Sequence, residues 1–249
     1  MWHPECFAGR TAVVTGAGGG MGLQIAIDLM AAGATVTGLD VKEPPSEFAG
    51  SAYARGDVSD DAFVADAIAQ TFARTGRLDY LVNAAGVLWF GRDRSLVDID
   101  LEVWNRVIAI NLGGCMLTAR HAIPCMQKTG GGAMVHVSSI QCLRGDDRPQ
   151  DAYQVSKAGI LALSKSIAIQ FAKDGIRSNV ILPSATESPM QARWQAEPEQ
   201  KRRTAEAIPL GRVGTVRDMA DACLFLLSDQ AGFITGTELV VDGGRLALP

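Results

Sequence analysis

Thr11-Ala12-Val13-Val14-Thr15-Gly16-Ala17-Gly18-Gly19-Gly20-Met21-Gly22 decides how this chain folds. Its first five residues are short and apolar or β-branched, the pattern of a strand buried on both faces. A glycine cluster follows, and then Leu23, Ile27 and Met30 recur at helical spacing up to a stop at Gly33. A strand, a glycine loop and a helix in this order leave bare backbone N–H groups at a positive helix end. A dinucleotide pyrophosphate is the ligand such a turn holds. The common G-x-G-x-x-G frame fails from Gly16, because its last place is Met21. The frame that fits is G-x-x-x-G-x-G, through Gly16, Gly20 and Gly22. Gly16, Gly18, Gly20 and Met21 are therefore candidate cofactor contacts.

The same alternation continues along the chain. Apolar β-type runs at residues 34–40, 53–58, 78–83, 133–138, 176–182 and 238–241 are separated by helical patterns. These helices are expected from residue 23 to 30, up to about Arg74, over 101–127, over 151–173 and over 216–227. Strict alternation predicts parallel βαβ units in an α/β fold, one Rossmann-type doubly wound sheet of about seven strands flanked by helices. No linker or repeat divides residues 1–249, so a single dinucleotide-binding and catalytic domain is expected. Residues 187–209 break the rhythm with a long polar stretch, expected to be a substrate loop.

Composition narrows the function classes. Of 249 residues, 47% are hydrophobic and 20% charged, which supplies a core and excludes a disordered chain. A net charge of −4 argues against nucleic-acid or anionic-membrane partners. No apolar run reaches the roughly 20 residues needed to span a bilayer, and the first residues lack a signal-peptide pattern. The five cysteines are scattered without a C-x-x-C pair, as suits free thiols in a reducing cytoplasm. His3, His121 and His136 show no metal-ligand spacing, so no metal is expected. His136, between Val135 and Val137, reads as structural.

Asp40 closes the second strand, about 20 residues after the glycines. A carboxylate there accepts from the adenosine ribose hydroxyls and repels a 2′-phosphate. This favours NAD over NADP, with Lys42 nearby as a weak opposing charge. Further on, Tyr153 and Lys157 lie four apart on a helix and share one face. A free tyrosine titrates near ~10, about three units above neutrality, or roughly 4 kcal/mol. One ammonium about 4 Å away, at an effective dielectric of about 20, supplies that much. The pair is a plausible acid/base on chemical grounds.

Taken together these stretches resemble the short-chain dehydrogenase/reductase family over nearly the full length. The resemblance rests on the Thr15–Gly22 loop, Asp57-Val58, Asn83-Ala84-Ala85-Gly86, Asn111, Ser139, Tyr153-x-x-x-Lys157, residues 179–183 and Val241-Asp242-Gly243-Gly244. It implies that Tyr153 is the general acid/base and that Lys157 lowers its pKa and holds the nicotinamide ribose. Ser139 would polarise the substrate carbonyl, and Asn111 would hold a relay water. Ser139 is preferred to Ser138 from its distance to the tyrosine; neighbours in a strand also face opposite ways. Asp57 and Val58 would meet the adenine, and Asn83, Ala84 and Gly86 would flank the adenosine. Pro183, Thr186 and Ser188 would lie near the carboxamide. Ser184 stands where the family has a glycine, which places the local loop geometry in question.

The implied reaction interconverts a secondary alcohol and its ketone with NAD. A cyclic alcohol, a diol or a hydroxy acid would serve as the small-molecule substrate. Within the same chemistry, a 3-oxoacyl-thioester reductase or a dihydrodiol dehydrogenase is an alternative; outside it, an NAD-binding sensor or scaffold. The resemblance also implies a homotetramer, or a homodimer, and the cysteine usage leads to a cytoplasmic location. Pocket walls are expected from Trp89, Phe90, residues 141–148 and residues 190–194. Arg144 or Arg148 would bind a substrate carboxylate, or the charges of residues 144–148 pair among themselves and with water. Met190 and Trp194 would form a lid, core packing or an oligomer contact.

Overall fold

The computed structural model describes His3 and residues 5–146 and 148–248; Met1, Trp2, Pro4 and Asp147, read above in the N-terminus and the charged loop, lie outside the described residues. The elements are β1 (Thr11–Thr15), α1 (Gly20–Ala31), β2 (Thr35–Asp40), β3 (Ala52–Arg55), α2 (Asp61–Thr75), β4 (Tyr80–Asn83), α3 (Leu101–Ile108) and α4 (Gly114–Lys128). They continue with β5 (Gly132–Val137), α5 (Asp151–Gln170), β6 (Ile176–Pro183), β7 (Thr186–Glu187), α6 (Pro198–Glu206), β8 (Gly214–Thr215), α7 (Val216–Leu227) and β9 (Glu238–Val241). Seven strands form one parallel sheet in the order β3-β2-β1-β4-β5-β6-β9. This is the expected doubly wound α/β fold.

Side-chain alternation explains the two helical layers. Ala12, Val14, Val82 and Val135 face one side and pack on Ile25 and Leu29 of α1 and Leu224 and Leu227 of α7. Val13, Leu81 and Met134 face the other, against Val64 and Ile68 of α2, Leu117 and Met126 of α4 and Ile167 of α5. Both faces of the central strands are thus covered, which is why they read as unbroken apolar runs. The chain winds outward from β1 to β3, then returns to build β4, β5, β6 and β9 on the other side. Crossovers therefore diverge at the ends of β1 and β4, and a crevice opens there.

Three elements differ from the sequence reading. The helix expected over 101–127 is α3 and α4 joined by a π-helical turn, Ala109–Gly113, which contains Asn111. The third strand ends at Arg55, so Asp57 and Val58 stand in the turn after it. The stretch at 187–209 is ordered: β7 pairs with β8, a 3-10 segment runs over Pro189–Gln195, and α6 follows. Trp194 anchors that excursion in a small core with Ile208 and Val213. Ser184 causes no strain, since among the described residues no non-glycine has positive φ, and its N–H donates to Val241 O (3.3 Å). All five cysteines are free. Among the described residues no helix is long and apolar enough to cross a membrane.

Asp79 fastens the start of the sheet. Its carboxylate accepts from Thr11 N–H (2.8 Å), Arg10 Nη1 (3.1 Å) and Arg77 Nε (2.7 Å). Burial works to raise its pKa, but Arg77, the Thr11 N–H and Arg10 outweigh it and hold the carboxyl below the usual range. A depressed folded pKa means stability present above the unfolded value of ~3.9 and lost as pH falls through the folded one. Asp79→Asn should cost about 1–3 kcal/mol at pH 7. In urea denaturation the gap to wild type should narrow as the pH approaches 3; a gap independent of pH would refute this role.

Candidate active site

The glycine loop is shaped by close backbone approaches. Gly16 adopts φ +72°, and a Cβ there would meet the Ala84 carbonyl carbon at 2.8 Å. A Cβ at Gly22 would lie 2.3 Å from Gly16 O, so neither site admits a side chain. Thr15 Oγ1 accepts from Ala84 N–H and Ala85 N–H, both at 3.1 Å, and so ties the end of β1 to the end of β4. Helix α1 starts behind Gly19 with no side-chain cap, so its first N–H groups are left for a ligand. Asp40 accepts from Gly18 N–H (2.9 Å) and Lys42 N–H (3.0 Å). A carboxylate has about four acceptor sites, so two remain for ribose hydroxyls. Pro189 roofs the loop, with its ring 3.4 Å from a Cβ built on Gly20.

The same cleft, about 1680 Å³, runs on to Ser139, Tyr153 and Lys157. Tyr153 sits in the first turn of α5, only 8% exposed. Ser139 ends the β5 loop and its hydroxyl hydrogen-bonds Tyr153. Ser138 points the other way, donating to Lys157 O at 2.8 Å. Both serines line the cleft, but their hydroxyls divide: that of Ser138 is spent on the Lys157 carbonyl, and that of Ser139 faces Tyr153. Burial pushes the Tyr153 phenol up to about 12, against the opposing hydrogen bond from Ser139. This direction runs against the depression expected from Lys157. Its ammonium lies 5.7 Å from the Tyr153 ring centroid and donates to Val137 O (2.8 Å). Burial in turn lowers the pKa of Lys157. Desolvation is the first cause of the raised Tyr153 value.

Asn111 is fully buried behind this wall. Its side chain accepts from Val87 N–H (2.8 Å) and donates to Val87 O and Ser156 Oγ (both 3.0 Å). A Cβ on Gly86 would lie 3.3 Å from both Asn111 Oδ1 and Lys157 Nζ, so the three positions converge. Ala84, Gly86, Met21, Asp57, Val58, Pro183, Thr186 and Ser188 all line the cleft. Asp57 is held below the usual carboxylate range: burial opposes this, but Arg106 and Ser59 prevail. Gly18 lies behind the wall, against Asp40. Asn83 corrects its expectation, because its side chain turns inward. Its Nδ2 donates to His136 Nδ1 (3.1 Å) and its Oδ1 accepts from Thr118 (2.7 Å). His136 is held neutral, its pKa lowered to about 4 by burial.

Asp93 was not legible in the sequence. It is 2% exposed, and its carboxylate accepts from Ala152 N–H (3.1 Å) and Tyr153 N–H (2.8 Å). It caps α5 from 60 residues away and fixes the backbone of the tyrosine itself. Asp151 returns the tie, accepting from Leu96 N–H at 2.8 Å. No local pattern signals such a cap, because capping motifs lie within a few residues of their helix.

Residues 16–245 match a family model described as enoyl-(acyl carrier protein) reductase. The chain is 35% identical to 2-(R)-hydroxypropyl-CoM dehydrogenase of Xanthobacter autotrophicus, over 96% of this chain and 99% of that one. It is 36% identical to cis-4-hydroxycyclohexanecarboxylate dehydrogenase of Sinomonas cyclohexanicum, over 98% and 99%. Thermoplasma acidophilum aldohexose dehydrogenase superposes with TM-score 0.92 at 28% identity, over 98% of this chain and 97% of that one. The chain belongs to the short-chain dehydrogenase/reductase family, oxidoreductases that use a nicotinamide cofactor.

Asp93→Ala should lower stability by about 0.5–2 kcal/mol, the cost of a lost cap. It should also lower kcat more than KM, because Tyr153 loses its backbone anchor. Asp93→Asn, which keeps an acceptor oxygen, should recover most of kcat. Equal activity of wild type and Asp93→Ala would show that the cap does not position the tyrosine.

Proposed function

We propose that this protein is an NAD(H)-dependent dehydrogenase interconverting a secondary alcohol and its ketone. One observation carries the reading: Ser139, Tyr153 and Lys157 line the same cleft as the glycine loop and Asp40. The residues present fit a dinucleotide. The uncapped start of α1 would take the pyrophosphate, Asp40 the adenosine ribose, and Asp57 and Val58 the adenine. Pro183, Thr186 and Ser188 would bound the nicotinamide end, with Lys157 at its ribose. When bound, the nicotinamide ring accepts hydride during alcohol oxidation and returns it during ketone reduction.

The protein's own part is proton handling and orientation. Ser139 Oγ hydrogen-bonds the substrate oxygen and holds it against Tyr153. The Tyr153 Oη receives the hydroxyl proton during oxidation and donates it during reduction. Lys157, Asn111 and the Val87 backbone form the polar path behind the tyrosine. A non-catalytic sensor has no use for a buried phenol hydrogen-bonded to a serine at a cofactor cleft. The similarity to dehydrogenases of hydroxylated substrates supports the same reading.

Preference for NAD rests on Asp40. Lys42 stands as the opposing influence, since its ammonium lies 3.7 Å from a Cβ built on Gly19. The Asp40 carboxylate is fixed by two backbone N–H groups at the strand end, where it would meet the ribose 2′ position. A cofactor-absorbance screen of secondary alcohols should show turnover with NAD⁺ and little with NADP⁺. Asp40→Ala should reduce the NAD⁺/NADP⁺ ratio of kcat/KM by about tenfold or more. An unchanged ratio would remove Asp40 from this role, and binding of cofactor without turnover on any alcohol would favour the sensor.

A further inference from the structure

We propose that Arg148 and Arg193 form a carboxylate subsite at the outer end of the cleft, so that the substrate is a secondary alcohol bearing an acid group. This rests on the dehydrogenase reading above and specifies its substrate class. Arg148 comes from the loop between Ser139 and Tyr153, and Arg193 from the 3-10 segment after β7. Both line the cleft that holds Ser139 and Tyr153. Two loops from different strand ends thus bring two guanidinium groups to one region.

Their partners leave them available. The Arg193 guanidinium stacks on Phe90, 3.7 Å from the ring centroid, and its Nε donates to Gln191 Oε1 at 3.1 Å. Its two Nη groups form an open edge. Arg148 reaches across to α6, where its Nη1 donates to the Gln200 amide oxygen at 3.3 Å once that amide is oriented to satisfy its neighbours. Among the described residues neither arginine takes part in an ion pair. Of the other cleft arginines, Arg106 pairs with Asp57, Arg203 with Glu199 and Arg245 with Ala207 O, while Arg94 and Arg144 each turn Nε to a neighbouring backbone carbonyl, of Gly91 and Gly145.

The electrostatics point the same way. Arg193 has its pKa lowered, first by burial and then by the charge of Arg148. Two like charges held near each other repel, and a bridging carboxylate relieves this. Among the described residues, the nearby acids are held elsewhere. Asp146 is bound by Gln141 Nε2 (2.5 Å), Gln150 Nε2 (3.1 Å) and Arg148 N–H (3.0 Å). Glu197 acts on Arg193 only through its field, and its carboxylate accepts from Gln200. Trp89, Phe90 and Met190 line the same cleft and offer apolar and aromatic walls for a carbon skeleton.

The test compares 4-hydroxycyclohexanecarboxylate with its uncharged carboxamide. Wild type should favour the acid by about tenfold to a hundredfold in kcat/KM, the range of one charged hydrogen bond. In Arg148→Gln and Arg193→Gln that ratio should fall toward one, with most of the loss in KM. Wild type without a preference, or variants that keep it, would overturn the subsite. Should neither compound be oxidised, the dehydrogenase reading is judged by the broader screen of secondary alcohols. Titration calorimetry with benzoate then decides the subsite alone: binding lost in both variants supports it, and no binding to wild type overturns it.

Discussion

The structure depends on how closely β1 and β4 run together where their connections part. Thr15 Oγ1 accepts from two N–H groups of the Asn83–Gly86 turn, and Gly16 lies against the Ala84 backbone. Any side chain at Gly16 would force these strand ends apart. With them held, α1 starts at the rim of the crevice and its free N–H groups face inward. Asp40 meets the same loop through Gly18. The cofactor end of the cleft follows from a few contacts in which an absent Cβ decides what can approach.

The other end depends on burial. Tyr153 lies in the first turn of α5, where Asp93 holds its N–H and Ser139 its hydroxyl. Removing water raises the phenol's pKa in the protein's own field, and Lys157 does not reverse this. Charge-based reasoning from helical spacing assumed a separation of about 4 Å and an undesolvated phenol. The structure has a drier site. Lys157 instead tethers the strand end through Val137 O and converges with Asn111 and Gly86. Its contribution is positional before it is electrostatic.

Much of this was legible because it is local. Apolar runs such as Thr11–Thr15 and Tyr80–Asn83 declare doubly covered strands, and the Tyr153/Lys157 spacing declares one helical face. The unreadable parts involve distant residues or patterns that carry no sign. Asp93 acts 60 residues from its helix. The π-helical turn at Asn111 has the same composition as the helix around it. Helix α6 has no buried residues and so lacks an apolar stripe. Asn83 sits at a strand end, where the period alone cannot say that its amide turns inward to His136. The meeting of Arg148 with Arg193 depends on two loops folding toward each other.

The central claim is that the Tyr153 hydroxyl carries the proton while the rest of the cleft holds cofactor and substrate. Tyr153→Phe removes one oxygen atom and leaves the ring in its place, and circular dichroism should report an unchanged fold. The direct measurement is NADH binding by fluorescence beside turnover on the best secondary alcohol. The expected result is a Kd within about threefold of wild type, with kcat reduced at least ~100-fold. Turnover near the wild-type rate in a folded, NADH-binding Tyr153→Phe protein would contradict the claim.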